Sequence, residues 1–171
     1  KGQPFFTVYN IGDSHESRAF GDHKDESVDP NKMILAPYHP DLPEMRNTYA
    51  KYSRAISKMD SLVGQAIENL KQDNLYEDTI IVYNSDHGGV LARSKRFLYS
   101  SGIHCPLIVR IPAKWKHLYP KGKKPGSTID RIVSFIDMPK TWVSLTGAEM
   151  TDNFQGRIFL GPDTEPEAKH H

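Results

Sequence analysis

Thr79-Ile80-Ile81-Val82-Tyr83-Asn84-Ser85-Asp86-His87-Gly88-Gly89 is a short apolar, β-branched run that breaks into an acid, an imidazole and two glycines. Four successive apolar side chains predict a strand covered on both faces, the pattern of a parallel sheet lying between helices. In sheets of that kind ligands collect at the carboxyl ends of the strands, where Asp86 and His87 fall. A carboxylate beside an imidazole can hold a metal or move protons, and Gly88-Gly89 lets backbone or substrate come close. The plainer reading of the same residues is a strand ending in a polar turn capped by Asp86.

The arrangement occurs twice. Pro4-Phe5-Phe6-Thr7-Val8-Tyr9-Asn10-Ile11 is a second strand candidate, and it closes on Gly12-Asp13-Ser14-His15. Between the two, Pro43 to about Asn74 turns helical: Tyr49, Tyr52, Ile56, Met59, Leu62, Val63, Ile67 and Leu70 recur at spacings of three and four. Gly64 inside that helix implies close packing. Helix followed by strand is an α/β unit. Further on, Pro106–Pro112 reads as a third strand and Ile129–Ile136 as another β-rich run. A helix starts at Asp137, the expected N-cap, and stops at Gly147.

Other stretches carry less. Glu16–Pro43 is long, polar and without period, the mark of a loop over a site or sheet edge. Its His23 and His39 are expected to be solvated. Lys121-Gly122-Lys123-Lys124 reads as a solvated turn, and the terminal His170 and His171 are assigned to no site. With 171 residues, 37% hydrophobic and 25% charged, the chain is the size of one globular domain. Its net charge of +1 gives no reason to expect nucleic acid, and no apolar run is long enough to span a membrane. The single cysteine, Cys105, excludes an internal disulfide.

Four segments, in order, resemble the sulfatase family of the alkaline phosphatase superfamily. Pro4 through His15 is similar to the strand ending in the family's Asp/His-x-His element. Ser85-Asp86-His87-Gly88 resembles its metal-binding turn. Lys95-Arg96-Phe97-Leu98-Tyr99-Ser100-Ser101-Gly102-Ile103-His104-Cys105-Pro106 resembles Lys-x-x-x-Tyr-x-x-Gly-x-x-x-Pro. Ile136 through Thr141, with Gly147 and Gln155-Gly156-Arg157, resembles its late helix and Gly-Arg turn. The family's Cys/Ser-x-Pro-x-Arg signature, source of the formylglycine nucleophile, is not in the sequence, and neither is its early Asp-Asp pair. Cys105 aligns with the Gly-x-x-x-Pro element and is expected to be an inert, buried thiol.

The resemblance implies an α/β architecture, a mostly parallel sheet between helices, alkaline-phosphatase-like and incomplete. Residues 1–161 then form a partial catalytic domain and residues 162–171 a tail or the start of a truncated subdomain. The implied activity is hydrolysis of sulfate esters or sulfamates at a divalent-metal site, with Asp86 and His87 as ligands of a calcium ion completed by residues outside this chain. Lys95 would contact the sulfate and His15 would donate a proton to the leaving oxygen, tasks that suit a compact ammonium and a group titrating near neutrality. Asp13 would cap a turn or orient His15; Glu16 and Arg18 would meet the rest of the substrate.

The expected partners are a sulfated small molecule or carbohydrate and the missing N-terminal half of the same enzyme, with no nucleic acid and no membrane. The expected compartment is periplasmic, secreted or lysosomal. Taken as a piece of a larger enzyme, the chain should expose apolar surface around Phe5, Val8 and the long helix, and should not turn over alone. Two rivals remain at this point: a phosphate or phosphonate monoester hydrolase of the same superfamily, and a carbohydrate-binding remnant without catalysis.

Overall fold

The structure, a computed structural model, describes residues 2–19 and 27–169. His23 and its charged neighbours, like the two terminal histidines, lie outside them. The elements in order are α1 (Glu16–Ala19), a 3-10 turn (Pro30–Lys32), α2 (Pro43–Gln72), a 3-10 turn (Tyr76–Asp78), β1 (Ile81–Asn84), α3 (Ser100–Ile103), β2 (Leu107–Arg110), a 3-10 segment (Ala113–Leu118) and α4 (Asp137–Thr146). The chain divides into two compact units. One runs up to Asn74 and includes Tyr83–Ile108; the other comprises Leu75–Val82 and Val109–His171.

The long helix α2 begins where Pro43 stands at its first turn after an extended Leu42, a position that needs no N–H donor. Glu44 in the first turn and Lys71 in the last both suit the helix dipole. It ends as Asn74 enters the left-handed region (φ 58°) and its N–H donates to Lys71 O at 3.0 Å. Ala50 is its one fully buried residue. Gly64, expected to mark close packing, faces open space instead: a Cβ built there meets nothing within 4 Å. Met59 Sδ accepts from Ser14 Oγ at 3.6 Å and from Tyr83 OH at 3.7 Å, tying α2 to the residues before α1 and to the end of β1.

The strand expectations are met in part. β1 falls on the apolar run and β2 on Leu107–Arg110, and the two pair with each other. This pair does not make the mostly parallel sheet of the expectation. Neither Pro4–Ile11 nor Ile129–Ile136 forms a strand. An apolar alternation becomes a strand only when a neighbour takes up its backbone N–H and C=O groups, and none among the described residues does so. Phe5, Phe6, Val8 and Tyr9 are accordingly exposed, as are Ile129, Ile132, Phe135 and Ile136.

In the second unit α4 stops at Gly147 (φ 69°), whose N–H donates to Ser144 O. Asp137 is the helix's first residue and not its N-cap. Its carboxylate, 2% exposed as a residue, accepts from Ser134 N–H at 2.9 Å and from Arg157 N–H at 2.7 Å. Thr141 Oγ1, fully buried, donates to Asp137 O and accepts from Phe159 N–H at 3.2 Å. These bonds and the edge-to-face pair of Trp142 and Phe159 dock the irregular segment after residue 148 onto α4. Arg110 stacks its guanidinium 3.5 Å above the Tyr76 ring and donates to Tyr76 O, Thr79 O and Glu77.

Candidate active site

Beyond β1, the turn Ser85–Gly89 is seated on the loop that leads into α3. Gly88 N–H donates to Gly102 O at 2.8 Å, and Lys95 N–H donates to Gly89 O at 2.9 Å. The fit leaves no room for side chains: a Cβ on Gly88 would lie 1.9 Å from Ser101 O, and one on Gly102 would lie 2.1 Å from Phe97 O. A Cβ on Gly89 would lie 2.8 Å from Tyr52 OH. Three glycines of the Asp-His-Gly and Lys-x-x-x-Tyr-x-x-Gly elements are therefore fixed by contact between backbones, or between backbone and α2.

His87 Nδ1 lies 2.7 Å from Gly88 O. A carbonyl only accepts, so Nδ1 carries a proton, and in the neutral imidazole the lone pair is on Nε2. Nε2 stands 3.5 Å from Asp86 Oδ2, on a carboxylate whose side chain is 87% exposed. A histidine held through its far nitrogen by a backbone carbonyl is the arrangement that orients metal-binding imidazoles. Among the described residues, no group of three or more His, Cys, Asp or Glu side chains is gathered as a metal would need.

Lys95 is met from the other side. Its Nζ lies 3.3 Å from Glu16 Oε2, and Arg96 grips the same carboxylate with Nη1 at 3.0 Å from Oε1 and Nη2 at 2.8 Å from Oε2. The fork-to-fork pairing with Arg96, then the contact with Lys95, holds the Glu16 pKa down to about 2. Glu16 was expected to face the substrate; it holds the two cations of the neighbouring loop instead. Since Glu16 follows His15 directly, the pairing brings the first histidine-bearing turn beside the Lys95 loop. The Lys95 side chain is only 19% exposed there.

His15 itself is exposed. Its Nδ1 accepts from Ser17 N–H at 3.3 Å and lies 3.0 Å from Ser17 Oγ, so Nε2 is the nitrogen left for a proton. Asp13, expected as a cap or an orienter of His15, pairs its carboxylate with Lys58 of α2 at 2.6 Å. Cys105 is half-buried and unpaired in any disulfide.

His39 differs from its expectation as a solvated side chain. Nε2 lies 2.9 Å from Ala92 O and must donate, and Nδ1 accepts from Tyr49 OH at 2.7 Å, which in turn accepts from Ala36 N–H. One imidazole thus fastens the Tyr38 segment both to α2 and to the residue before Arg93. Arg93 and Arg96 are both in the left-handed region, at φ 65° and 74°. A side chain there costs about 1 kcal/mol against glycine.

Residues 1–148 match the family described as Sulfatase. The chain belongs to the sulfatase family. Sulfatase membership implies the alkaline-phosphatase-like α/β fold, of which the described residues form helices and one strand pair. The chain is 31% identical to an ulvan-active sulfatase of Formosa agariphila over 93% of its own length and 31% of that protein. It is 27% identical to arylsulfatase K of Homo sapiens over 75% of its length and 23% of that protein. With an N-acetylglucosamine-6-O-sulfatase of Bacteroides thetaiotaomicron the identity is 33%, over 69% of the chain and 20% of that protein. The chain therefore spans between a fifth and a third of the length of these curated relatives. No helix among its described residues is long and apolar enough to cross a membrane.

The sequence pattern does not reveal Glu16 as a clamp, Arg96 as its partner, or the bonds that fix His39. The adjacent cations Lys95-Arg96 and the acid after His15 were the signal available for the first two. For the last no local pattern exists, because the partners lie far away in sequence.

Proposed function

We propose that the protein hydrolyses sulfate esters of carbohydrates, using Lys95 to hold the sulfuryl oxygens, His15 to protonate the leaving oxygen, and Asp86 and His87 as ligands of a divalent cation. The observation that carries this reading is the Glu16 carboxylate, next in sequence to His15 and 3.3 Å from Lys95 Nζ. This contact supports the reading because it makes the turn carrying His15 a neighbour of the loop carrying the Lys95 ammonium. An ammonium has three N–H donors; Glu16 engages one, and the others remain for sulfuryl oxygens. To act as the acid His15 must be the imidazolium, with Nδ1–H turned to Ser17 Oγ at 3.0 Å in place of the bond from Ser17 N–H. Nε2–H then gives its proton to the bridging oxygen as the bond to sulfur breaks, which leaves the neutral imidazole.

The cation fits the two donors present. Asp86 offers an exposed carboxylate, and His87 offers an Nε2 lone pair fixed by the bond to Gly88 O. The oxygen donor suits calcium, while the imidazole is softer than calcium prefers. Bound there, the cation would stabilise negative charge on the sulfuryl group. The sequence holds no Cys/Ser-x-Pro-x-Arg, so the nucleophile is not among its residues, and these residues alone are expected not to turn over. The names of three relatives, with ulvan, aryl groups and N-acetylglucosamine in them, support a sulfated carbohydrate or aryl ester as the substrate class.

The test is turnover of an aryl sulfate by the whole protein and its variants. Asp86→Ala is expected to abolish activity, and His15→Ala and Lys95→Ala to lower kcat by about a hundredfold or more with melting temperature nearly unchanged. A fully active Lys95→Ala enzyme would overturn the assignment of the sulfate contact.

A further inference from the structure

We propose that Arg93, packed against Tyr38 and Tyr99, is a receptor for an anionic group on a sugar ring, a carboxylate or a second sulfate, in a unit of the substrate next to the one cleaved. The substrate class rests on the function proposed above; the receptor itself rests on its own geometry. The guanidinium carbon lies 4.6 Å from the Tyr38 ring centroid and 4.2 Å from that of Tyr99. The guanidinium lies against two rings, and its planar fork of N–H donors matches the two oxygens of a carboxylate or sulfate.

Arg46 pairs with Asp41, Arg96 with Glu16 and Arg110 with Glu77, yet among the described residues the charge of Arg93 is not spent on a carboxylate. It is also held in place before any ligand arrives. Its backbone is left-handed, its carbonyl accepts from Ser101 Oγ at 2.6 Å, and His39 ties the Tyr38 segment to Ala92 O. A group fixed in this way loses little freedom on binding.

The surroundings suit a sugar more than a bare ion. Tyr38 and Tyr99 are 43% and 49% exposed, and Phe97 stacks on Tyr99 with ring centroids 6.2 Å apart and planes 23° off parallel. Such a surface offers apolar faces for the C–H side of a pyranose and hydroxyls for its rim. Arg93 is two residues before Lys95, so an adjacent unit of a chain held at Lys95 is within reach. A duplex nucleic acid, the other common polyanion, is not favoured by a chain of net charge +1.

The experiment compares the whole protein with Arg93→Gln and Arg93→Lys on three substrates: a sulfated oligosaccharide with a neighbouring uronate, one with a neighbouring second sulfate, and an aryl sulfate without sugar. Arg93→Gln is expected to raise KM about tenfold on whichever anionic oligosaccharide is recognised, with kcat little changed and a much smaller effect on the aryl sulfate. Arg93→Lys should restore only part of the loss, since a lysine keeps the charge without the planar fork. The first two substrates separate carboxylate from sulfate. An equal loss on all three would mean that Arg93 only supports the loop, and an unchanged KM on both oligosaccharides would also overturn the proposal. Should the wild-type protein hydrolyse none of them, the sulfatase reading fails by itself. Calorimetry with unsulfated uronate and sulfated but non-cleavable oligosaccharides then decides the receptor: binding weakened about tenfold by Arg93→Gln supports it, and equal or absent binding refutes it.

Discussion

Replacing Gly88 by alanine would put a methyl carbon 1.9 Å from the carbonyl oxygen of Ser101 and 2.8 Å from Gly102 Cα. Both are backbone atoms, so no side chain can swing away to relieve the clash. The turn must lift, and lifting it breaks the bond from Gly88 N–H to Gly102 O. The lost hydrogen bond is worth about 1 kcal/mol and the forced repacking about 1–3 kcal/mol. Gly88→Ala should therefore cost roughly 2–4 kcal/mol, about 4–16 °C in melting temperature for a chain of this size. Gly64→Ala supplies the opposite sign. A Cβ there meets nothing, and α2 gains about 0.5–1 kcal/mol from losing a glycine in its interior. Thermal denaturation of the two variants, with hydrogen exchange at the Gly88 amide, reads both effects. Equal stability of Gly88→Ala and wild type, with the amide still protected, would refute the seating of the Asp86-His87 turn on the Ser94–Gly102 loop.

Glu16 should titrate near pH 2 when followed by NMR, because its ordinary value of 4.5 is lowered by Arg96 and Lys95. The stabilising contact is complete above about pH 4.5 and is lost as pH falls toward 2; a midpoint near the ordinary value would contradict it. Asp137→Asn should lower stability by about 2 kcal/mol in urea titration, since an amide has one acceptor oxygen for the two N–H donors of Ser134 and Arg157. Arg110→Ala should cost about 2 kcal/mol by removing the stack on Tyr76 and stranding two carbonyls. Arg110→Lys should recover little of that loss, and near-complete recovery would mean that charge alone matters.

The elements legible in the sequence were those whose signal is local. The three-and-four spacing in α2, the apolar runs at β1 and β2, and the glycine after α4 each reflect chemistry within one segment. Pro4–Ile11 carries as strong a β pattern as β1, yet strand formation depends on a partner that the pattern cannot supply. The site divides in the same way. Asp86, His87, Lys95 and His15 stand out by residue type at a strand end or in a motif. That Glu16 reaches Lys95 and Arg96 across about eighty positions follows only from the folded backbone. His39 shows the limit most clearly. In a polar, proline-bearing loop it looks like a solvated side chain, but both of its nitrogens are committed, one of them to a carbonyl 53 positions away.

The left-handed backbones of Arg93 and Arg96 have a consequence for anyone seeking a hardier form of this protein. A search for thermostable variants would be drawn to glycine at both positions, because glycine relaxes the strain at once. Each substitution would also remove a cation: at position 96 the partner that grips Glu16, a loss that offsets the relief of strain, and at position 93 the guanidinium packed against two tyrosines. If Arg93 has the role proposed for it, heat tolerance and substrate binding pull in opposite directions at position 93, and a screen scored on melting temperature alone would discard the second to gain the first.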